Sequence, residues 1–177
     1  MLTMNEPPTS ETAARHMTIA SELGDLTVVG RGRTVIGLYF PHHWYRPDPA
    51  SFGQRDDVSF ESVRDQIREY LAGDRQEFQV PIATGGDEYQ ERVWDLVRQI
   101  PYGKTATYGD LARQLGDGTT PQEVGAAVGR NPMCLLVPCH RVVGAGGKLI
   151  GYAGGLARKR FLLGLEAHVS GRASRLF

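Results

Sequence analysis

Short runs of alternating apolar and polar positions dominate the first half of the chain. The runs at residues 26–29 and 35–40, which are separated by glycines, predict a hairpin within residues 17–40. Residues 59–72 have apolar side chains at helical spacing, which predicts a helix that ends at Gly73. The first half is therefore predicted to combine a small sheet with one helix.

Two shorter segments complete the first half. Residues 41–57 are rich in Pro, His and Asp and predict a loop, in which we expect His42 and His43 to be solvated. Residues 78–82 predict one more short strand, and Thr84 begins a glycine-containing linker. The hydrophobic spacing changes after this linker.

The second half has the spacing of helices. A capping box at Asp87 predicts the start of a helix that Pro101 stops. Residues 108–115 and 121–129 predict two further helices on either side of a glycine-rich turn, with Thr120 as the N-cap of the second. This pair has the proportions of a helix-turn-helix, although helical hairpins that never contact DNA have them too.

The chain is predicted to have four parts and an α+β fold. These are a flexible leader at residues 1–16, an N-terminal α/β domain at 17–83, a mostly helical C-terminal domain at 84–167 and a tail at 168–177. Within the C-terminal domain, a short strand at 135–137 is expected to lead to a cysteine, and a last helix is expected at 158–166.

The composition limits the classes of function. Of the 177 residues, 41% are hydrophobic, which is enough for a core without disulfides or metal. No apolar run approaches the roughly 18 residues of a membrane span, and the polar N-terminus lacks the apolar segment of a signal peptide. Because the chain has only two cysteines, we expect it in a reducing cytoplasm.

Charge is unevenly distributed although the formal net charge is zero. Residues 1–83 carry eight Arg and twelve acidic residues, whereas residues 84–166 carry ten basic and eight acidic ones. A surface that binds nucleic acid must therefore be a local patch on the second half.

The pair Cys139-His140 is the candidate for chemistry. A free thiol has a pKa near 8.5, so only about 3% of it is thiolate at pH 7, and a cysteine nucleophile needs a base. The neighbouring imidazole can supply one through a water or a bend, and a carboxylate such as Glu166 would orient it. The alternative is that Cys139 is a small buried hydrophobe and His140 a hydrogen-bonded core residue.

The sequence around this pair favours the first interpretation. The run from Asn131 to Val143 resembles the active-site signature of the O6-alkylguanine-DNA alkyltransferases, and the similarity extends over residues 84–166. The other motifs that carry it are Tyr89-Gln90-x-x-Val93-Trp94, Ile100-Pro101-Tyr102-Gly103, Tyr108-Gly109-Asp110-Leu111-Ala112 and Gly151-Tyr152-Ala153-Gly154-Gly155-Leu156. The resemblance implies a ribonuclease-H-like N-terminal domain and a C-terminal domain that binds DNA.

The resemblance also implies roles for individual residues. Cys139 would accept the alkyl group, and Glu166, His140 and a water held by Asn131 would remove its proton. The implied substrate contacts are Tyr108, Tyr152, the Ala153 N–H and the Val142 carbonyl. Gly154 would leave room for the base, and Lys159 is a further implied substrate-binding residue. The implied DNA contacts are Tyr108, Gln122, Glu123, Arg130 and Arg141. No cofactor or metal is implied, and we expect a monomer that binds double-stranded DNA containing O6-alkylguanine.

Two positions depart from the family pattern. At the second position of the helix at 121–129, the family's arginine, which fills the place of an extruded nucleotide, is Gln122 here, and the next residue is Glu123. Both fit a helix start, because Glu123 completes a capping box with Thr120. A carboxylate facing a DNA groove nevertheless repels phosphate. A neutral amide also fills the place of the extruded nucleotide less well than arginine does.

Three functional hypotheses follow. The first is a self-alkylating DNA repair protein with weakened or altered base flipping. The second is an alkyl acceptor for a small molecule, and the third is a sensor of alkylated DNA without transfer, which the presence of Cys139 disfavours. Cys134 is expected to be a packed residue.

Overall fold

A four-stranded mixed sheet and one helix form the first half of the molecule. In the computed structural model, which describes residues 13–174 and the side chains as far as residue 171, the strand order is β3-β2-β1-β4. β1 pairs antiparallel with β2 and parallel with β4, and β2 pairs antiparallel with β3. The bounds are β1 Ala14–Ile19, β2 Leu26–Arg31, β3 Thr34–Tyr39, β4 Gln54–Arg55 and helix α1 Glu61–Ala72.

Helix α1 follows the predicted apolar stripe. Its buried side chains include Val63, Ile67 and Tyr70, which belong to the same core cluster as the sheet residues Val28 and Leu38. The helix ends at Gly73, whose φ of 84° is a left-handed conformation that glycine adopts at little cost.

Four helices form most of the second half, together with two short parallel strands. The bounds are α2 Glu88–Arg98, α3 Tyr108–Leu115, α4 Pro121–Gly129 and α5 Leu156–Ser174, with β5 Ala106–Thr107 paired to β6 Val142–Val143. Short 3₁₀ turns lie at Pro49–Phe52, Cys139–Arg141 and Ala145–Gly147. Among the residues described, no helix is long and apolar enough to cross a membrane.

The starts of the C-terminal helices are set by capping boxes. Asp87 caps α2 and Thr120 caps α4, as the sequence predicts, and Thr107 caps α3 in the same way. Each such cap contributes about 1 kcal/mol to helix stability. Both helices of the predicted helix-turn-helix are therefore confirmed, and the fold class is α+β.

Some predicted boundaries are wrong. Residues 78–82 form no strand, because only Ile82 bridges to β3, at Val35. Residues 135–137 lie in a buried turn in which Leu135 has a φ of 67°, so their apolar character reflects burial rather than a strand. β1 already begins at Ala14, inside the leader predicted at 1–16, of which residues 1–12 lie outside the described part of the chain. The final helix extends past residue 166, into the predicted tail.

One hydrophobic core joins the two halves and fixes the loop before Cys139. Leu38 of β3 donates its N–H to the Pro132 carbonyl at 2.8 Å and accepts a hydrogen bond from the Cys134 N–H at 3.2 Å. The segment after Asn131 is thus held against the edge of the N-terminal sheet. This places Cys139 at the junction of the two halves.

Candidate active site

Cys139 lies at the start of a 3₁₀ turn and lines a small cavity of about 160 Å³. Its side chain is only 2% exposed. The Asn131 side chain fixes the loop that precedes Cys139. Its Nδ2 donates to the Val137 carbonyl at 3.0 Å, and its Oδ1 accepts from the Met133 N–H at 2.9 Å. The sulfur is therefore presented by a rigid, buried turn.

The surroundings of the sulfur favour the thiolate. A hydrogen bond from the Cys134 thiol lowers the pKa of Cys139, and burial opposes this effect. A hydrogen bond from Asn131 and the positive charge of Lys159 lower the pKa further. A thiol with a lowered pKa is a better nucleophile at neutral pH. The expected role of Asn131, holding a water that relays the proton, stays a prediction.

His140 and Glu166 form a buried pair behind the sulfur. The Nε2 of His140 lies 2.8 Å from the Glu166 Oε1, and both side chains are at most 1% exposed. Burial lowers the pKa of His140 although Glu166 opposes this, so the imidazole is held neutral. With its Nε2 proton directed to the carboxylate, Nδ1 carries a free lone pair. Nδ1 is buried without a hydrogen-bond partner among the described residues and is available to accept a proton.

Glu166 is held ionised by several donors. Burial raises its pKa, but hydrogen bonds from His140 and Arg141 outweigh burial and lower the pKa to about 2. The Tyr70 hydroxyl donates to Oε1 at 2.7 Å, and the Gly103 N–H donates to Oε2 at 3.1 Å. A carboxylate with this many partners orients the imidazole and stabilises it when it takes up a proton.

Arg141 is buried and binds Glu166, so the prediction that it contacts DNA is wrong. Its guanidinium donates to both Glu166 oxygens, with Nη2 at 2.9 Å from Oε1, and Nη1 donates to the Ile100 carbonyl at 2.7 Å. The side chain is buried beside the Tyr102 ring. A buried arginine of this kind neutralises the carboxylate rather than reaching phosphate.

His43 is buried, so the expectation that it is solvated is wrong. Its Nε2 lies 3.3 Å from the Asn131 carbonyl, and its Nδ1 lies 3.5 Å from the Cys134 Sγ. Burial lowers the pKa of His43 to about 4. Cys134 is fully buried, as expected of a packed residue, but it also links His43 to Cys139.

The burial of His43 predicts a pH dependence of stability. Between about pH 4 and 6.5 the unfolded chain binds a proton on this side chain and the folded chain does not. The free energy of unfolding should therefore fall by up to about 1.4 kcal/mol per pH unit as pH decreases through this window. Urea unfolding at pH 7, 6 and 5 of wild type and His43→Gln should show a shallower decrease in the variant. Equal slopes would contradict the burial of a neutral imidazole.

The cavity walls contain three of the six residues that are expected to contact the substrate. Tyr108, Tyr152 and Ala153 line it, and the Tyr108 hydroxyl donates to the Ile150 carbonyl at 3.0 Å. Burial raises the pKa of Tyr108 to about 12, so its hydroxyl keeps its proton. These three residues therefore line the same cavity as Cys139, and their contact with a substrate stays a prediction.

Two of the expected substrate contacts are already engaged within the protein. The Val142 carbonyl accepts a hydrogen bond from the Lys159 Nζ at 2.6 Å, and this amine also donates to the Gly151 carbonyl at 3.0 Å. Burial lowers the pKa of Lys159 to about 8.

A Cβ at Gly154 would lie 2.5 Å from the Phe40 ring, so this glycine makes room for the N-terminal core rather than for a ligand.

The exposed face of the helix pair carries the remaining candidates. Gln122 is exposed and borders a groove with Tyr108 and Arg113. Glu123 is exposed as well, and its Oε2 accepts hydrogen bonds from the Thr120 N–H and hydroxyl. Arg130 is exposed, with its guanidinium 3.9 Å from the centre of the Tyr45 ring.

Three residues of the site come from the N-terminal half and were not predicted as site residues. Tyr70 was assigned only to a helical core stripe, and His43 to a loop. Trp44 also lines the cavity. No local pattern indicates these contacts, because they depend on how the halves pack. Within residues 13–174, no group of three or more His, Cys, Asp or Glu side chains is placed to hold a metal ion.

Known proteins resemble this chain over both halves. Residues 14–84 match the ribonuclease-like domain of 6-O-methylguanine DNA methyltransferase, and residues 88–168 match its DNA-binding domain. The methylated-DNA–protein-cysteine methyltransferase of Mycobacterium tuberculosis is 42% identical over 151 residues, which cover 85% of this chain and 91% of that protein. The inducible methylated-DNA–protein-cysteine methyltransferase of Bacillus subtilis is 40% identical over 153 residues, covering 86% and 84% of the two chains.

A solved structure agrees over the same length. The crystal structure of Mycobacterium tuberculosis OGT in complex with DNA superposes with a TM-score of 0.83 at 41% identity, covering 88% of this chain and 94% of that one. Similarity of this extent in sequence and in structure shows common descent of both halves. This chain belongs to the methylated-DNA–protein-cysteine methyltransferase family.

Proposed function

We propose that this protein repairs DNA by transferring the alkyl group of O6-alkylguanine to its own Cys139. The observation that carries the proposal is a buried sulfur with a lowered pKa that lines a small cavity beside an ionised Glu166 and a neutral His140. The DNA-bound relative from Mycobacterium tuberculosis supports DNA as the partner. The expected monomeric state and cytoplasmic location stay predictions.

The proposed reaction is a displacement at the alkyl carbon. The Cys139 proton passes through a bridging water to the Nδ1 of His140, and Glu166 stabilises the imidazolium that forms. The thiolate then attacks the alkyl carbon, so that a C–S bond forms while the C–O6 bond breaks. Guanine leaves as the O6 anion and takes a proton from a nearby donor. The thioether has no hydrolytic route back, and each molecule therefore reacts once.

Access to the sulfur requires that the target base leave the helix. A cavity of about 160 Å³ that contains a buried sulfur cannot be reached by a stacked base. Tyr108 opens α3 at the rim and borders both this cavity and the groove that contains Gln122. We infer that the α3–α4 pair enters the DNA groove, that Tyr108 helps to extrude the nucleotide, and that Arg130 contacts the backbone.

Gln122 makes the extrusion step weaker than in relatives with arginine at this position. The amide carries no charge, and Glu123 next to it adds a negative one at the same helix start. This favours slow transfer from duplex DNA. It also supports a second candidate function, in which the alkyl donor is a small molecule that needs no extrusion. Sensing of damaged DNA without transfer ranks last, because the nucleophile Cys139 is present and lines the cavity.

The test is the mass of the protein after reaction. Exposure to excess duplex containing O6-methylguanine should add one methyl group in place of one hydrogen, and peptide mapping should locate it on Cys139. Cys139→Ser should gain no mass, whereas Cys134→Ser should still be alkylated. Modification at Cys134, or more than one repaired base per protein molecule, would contradict the proposal.

A further inference from the structure

One wall of the Cys139 cavity comes from the N-terminal half of the chain. Trp44 lines the cavity, whereas all the other lining residues lie between Tyr108 and Ala153. The Trp44 side chain is 50% exposed, although large aromatic side chains of this protein such as Trp94 are mostly buried. A half-exposed indole beside a reactive sulfur is placed to contact whatever enters the cavity.

The loop around Trp44 is held in a defined conformation. The Trp44 N–H donates to the Ala153 carbonyl at 3.1 Å, which ties the loop to the far side of the cavity. His43 anchors the preceding position through the buried contact with Asn131. Both His42 and Tyr45 adopt a left-handed φ of 56°, a conformation that residues other than glycine keep only where their surroundings enforce it.

The indole lies beside two glycines. A Cβ at Gly129, the last residue of α4, would lie 3.7 Å from the ring, and one at Gly151 would lie 3.4 Å from it. The six-membered ring of the indole therefore lies near both the end of α4 and the loop that leads to Tyr152. The cavity that remains, about 160 Å³, is smaller than the roughly 300–1,000 Å³ of pockets for drug-sized ligands.

We propose that Trp44 determines which O6-alkyl groups reach Cys139. Its rigid indole closes the outer side of the cavity, so that a methyl group fits next to the sulfur and a bulky group such as benzyl meets the ring. This inference rests on the proposed alkyl transfer and adds the specificity of the same site. Apolar pockets discriminate by roughly 10–200-fold for small differences in substrate size.

Single-turnover rates with free O6-methylguanine and free O6-benzylguanine test this role without any DNA. In Trp44→Ala, the ratio of the benzyl rate to the methyl rate should rise by about 10-fold or more, with a smaller rise in Trp44→Phe. Tyr45→Ala is the matched control, because Tyr45 is an exposed aromatic residue of the same loop that does not line the cavity. Its ratio should equal that of wild type.

A second measurement separates specificity from transfer. In a Cys139→Ser background, equilibrium dialysis with the same two bases should show the benzyl-to-methyl affinity ratio rising on Trp44→Ala. An unchanged ratio in both experiments overturns the inference, as does an equal fall in both rates, which would make Trp44 a general base-binding residue. Failure of the proposed function is distinct, because wild type would then gain no mass from either base or from methylated duplex.

Discussion

Replacing Glu166 by glutamine should slow alkyl transfer to Cys139 by about 100-fold or more, the usual scale of general-base assistance. The amide keeps the size of the side chain but cannot stabilise an imidazolium at His140. In wild type the His140 Nε2 lies 2.8 Å from the Glu166 Oε1. Single-turnover transfer from methylated duplex, followed by intact mass, measures the effect. The midpoint of the pH–rate profile should also lie at higher pH than in wild type, because the Cys139 thiol then loses its proton without help from the His140–Glu166 pair.

The same substitution should destabilise the fold. It leaves the buried guanidinium of Arg141 without its anionic partner, and breaking a buried pair of this kind costs about 3–5 kcal/mol. Urea unfolding measures this cost and shows whether the variant is folded under the conditions of the rate measurement.

Tyr70→Phe is the matched control for Glu166→Gln. It removes one donor to the same carboxylate, the 2.7 Å bond to Oε1, but keeps the charge and the pair with His140. We expect a loss of about 1 kcal/mol in stability and less than about 10-fold in rate. A folded Glu166→Gln protein that reacts at the wild-type rate would show that Glu166 is only a structural partner of Arg141.

Replacing Gln122 by arginine should speed transfer from alkylated duplex by on the order of 10-fold, which corresponds to about 1.4 kcal/mol. Gln122 is exposed at the second position of α4 and borders the groove that contains Tyr108, so a longer cationic side chain there can reach the base stack. Binding should tighten as well, and the slope of log K against log salt should steepen by about 0.9 for each phosphate contacted. Free O6-methylguanine needs no extrusion, so its rate should hardly change.

Two control variants separate the effect of position 122 from the effect of added positive charge. Gln99→Arg makes the same exchange at an exposed residue after α2, outside the groove, and should change transfer little. Glu123→Gln removes the negative charge beside Gln122 while glutamine can still complete the box with Thr120, so it should speed duplex transfer with only a small loss of helix stability. Equal gains of Gln122→Arg on duplex and free base would assign the residue to pocket chemistry. No gain on duplex would favour the small-molecule donor.

Several features of this protein are predictable from local sequence. The helices α2 and α4 and their caps at Asp87 and Thr120 follow from spacing and from side chains that satisfy the first N–H groups. The pairing of a cysteine with an adjacent histidine indicates a nucleophile, and the family resemblance adds Glu166 as its distant partner. These features depend on residues close in sequence or on a motif that the whole family shares.

Other features are decided only by tertiary packing. Apolar spacing assigned Tyr70 to a core stripe but could not show that its hydroxyl reaches Glu166, which lies on α5. The loop composition around His43 predicted solvation, whereas the imidazole is buried against Asn131, Cys134 and the Tyr39 ring. The family resemblance implied that Arg141 contacts DNA, but the buried carboxylate of Glu166 holds its guanidinium inside the protein. In each case at least one partner is distant in sequence, and only the tertiary packing determines which groups meet.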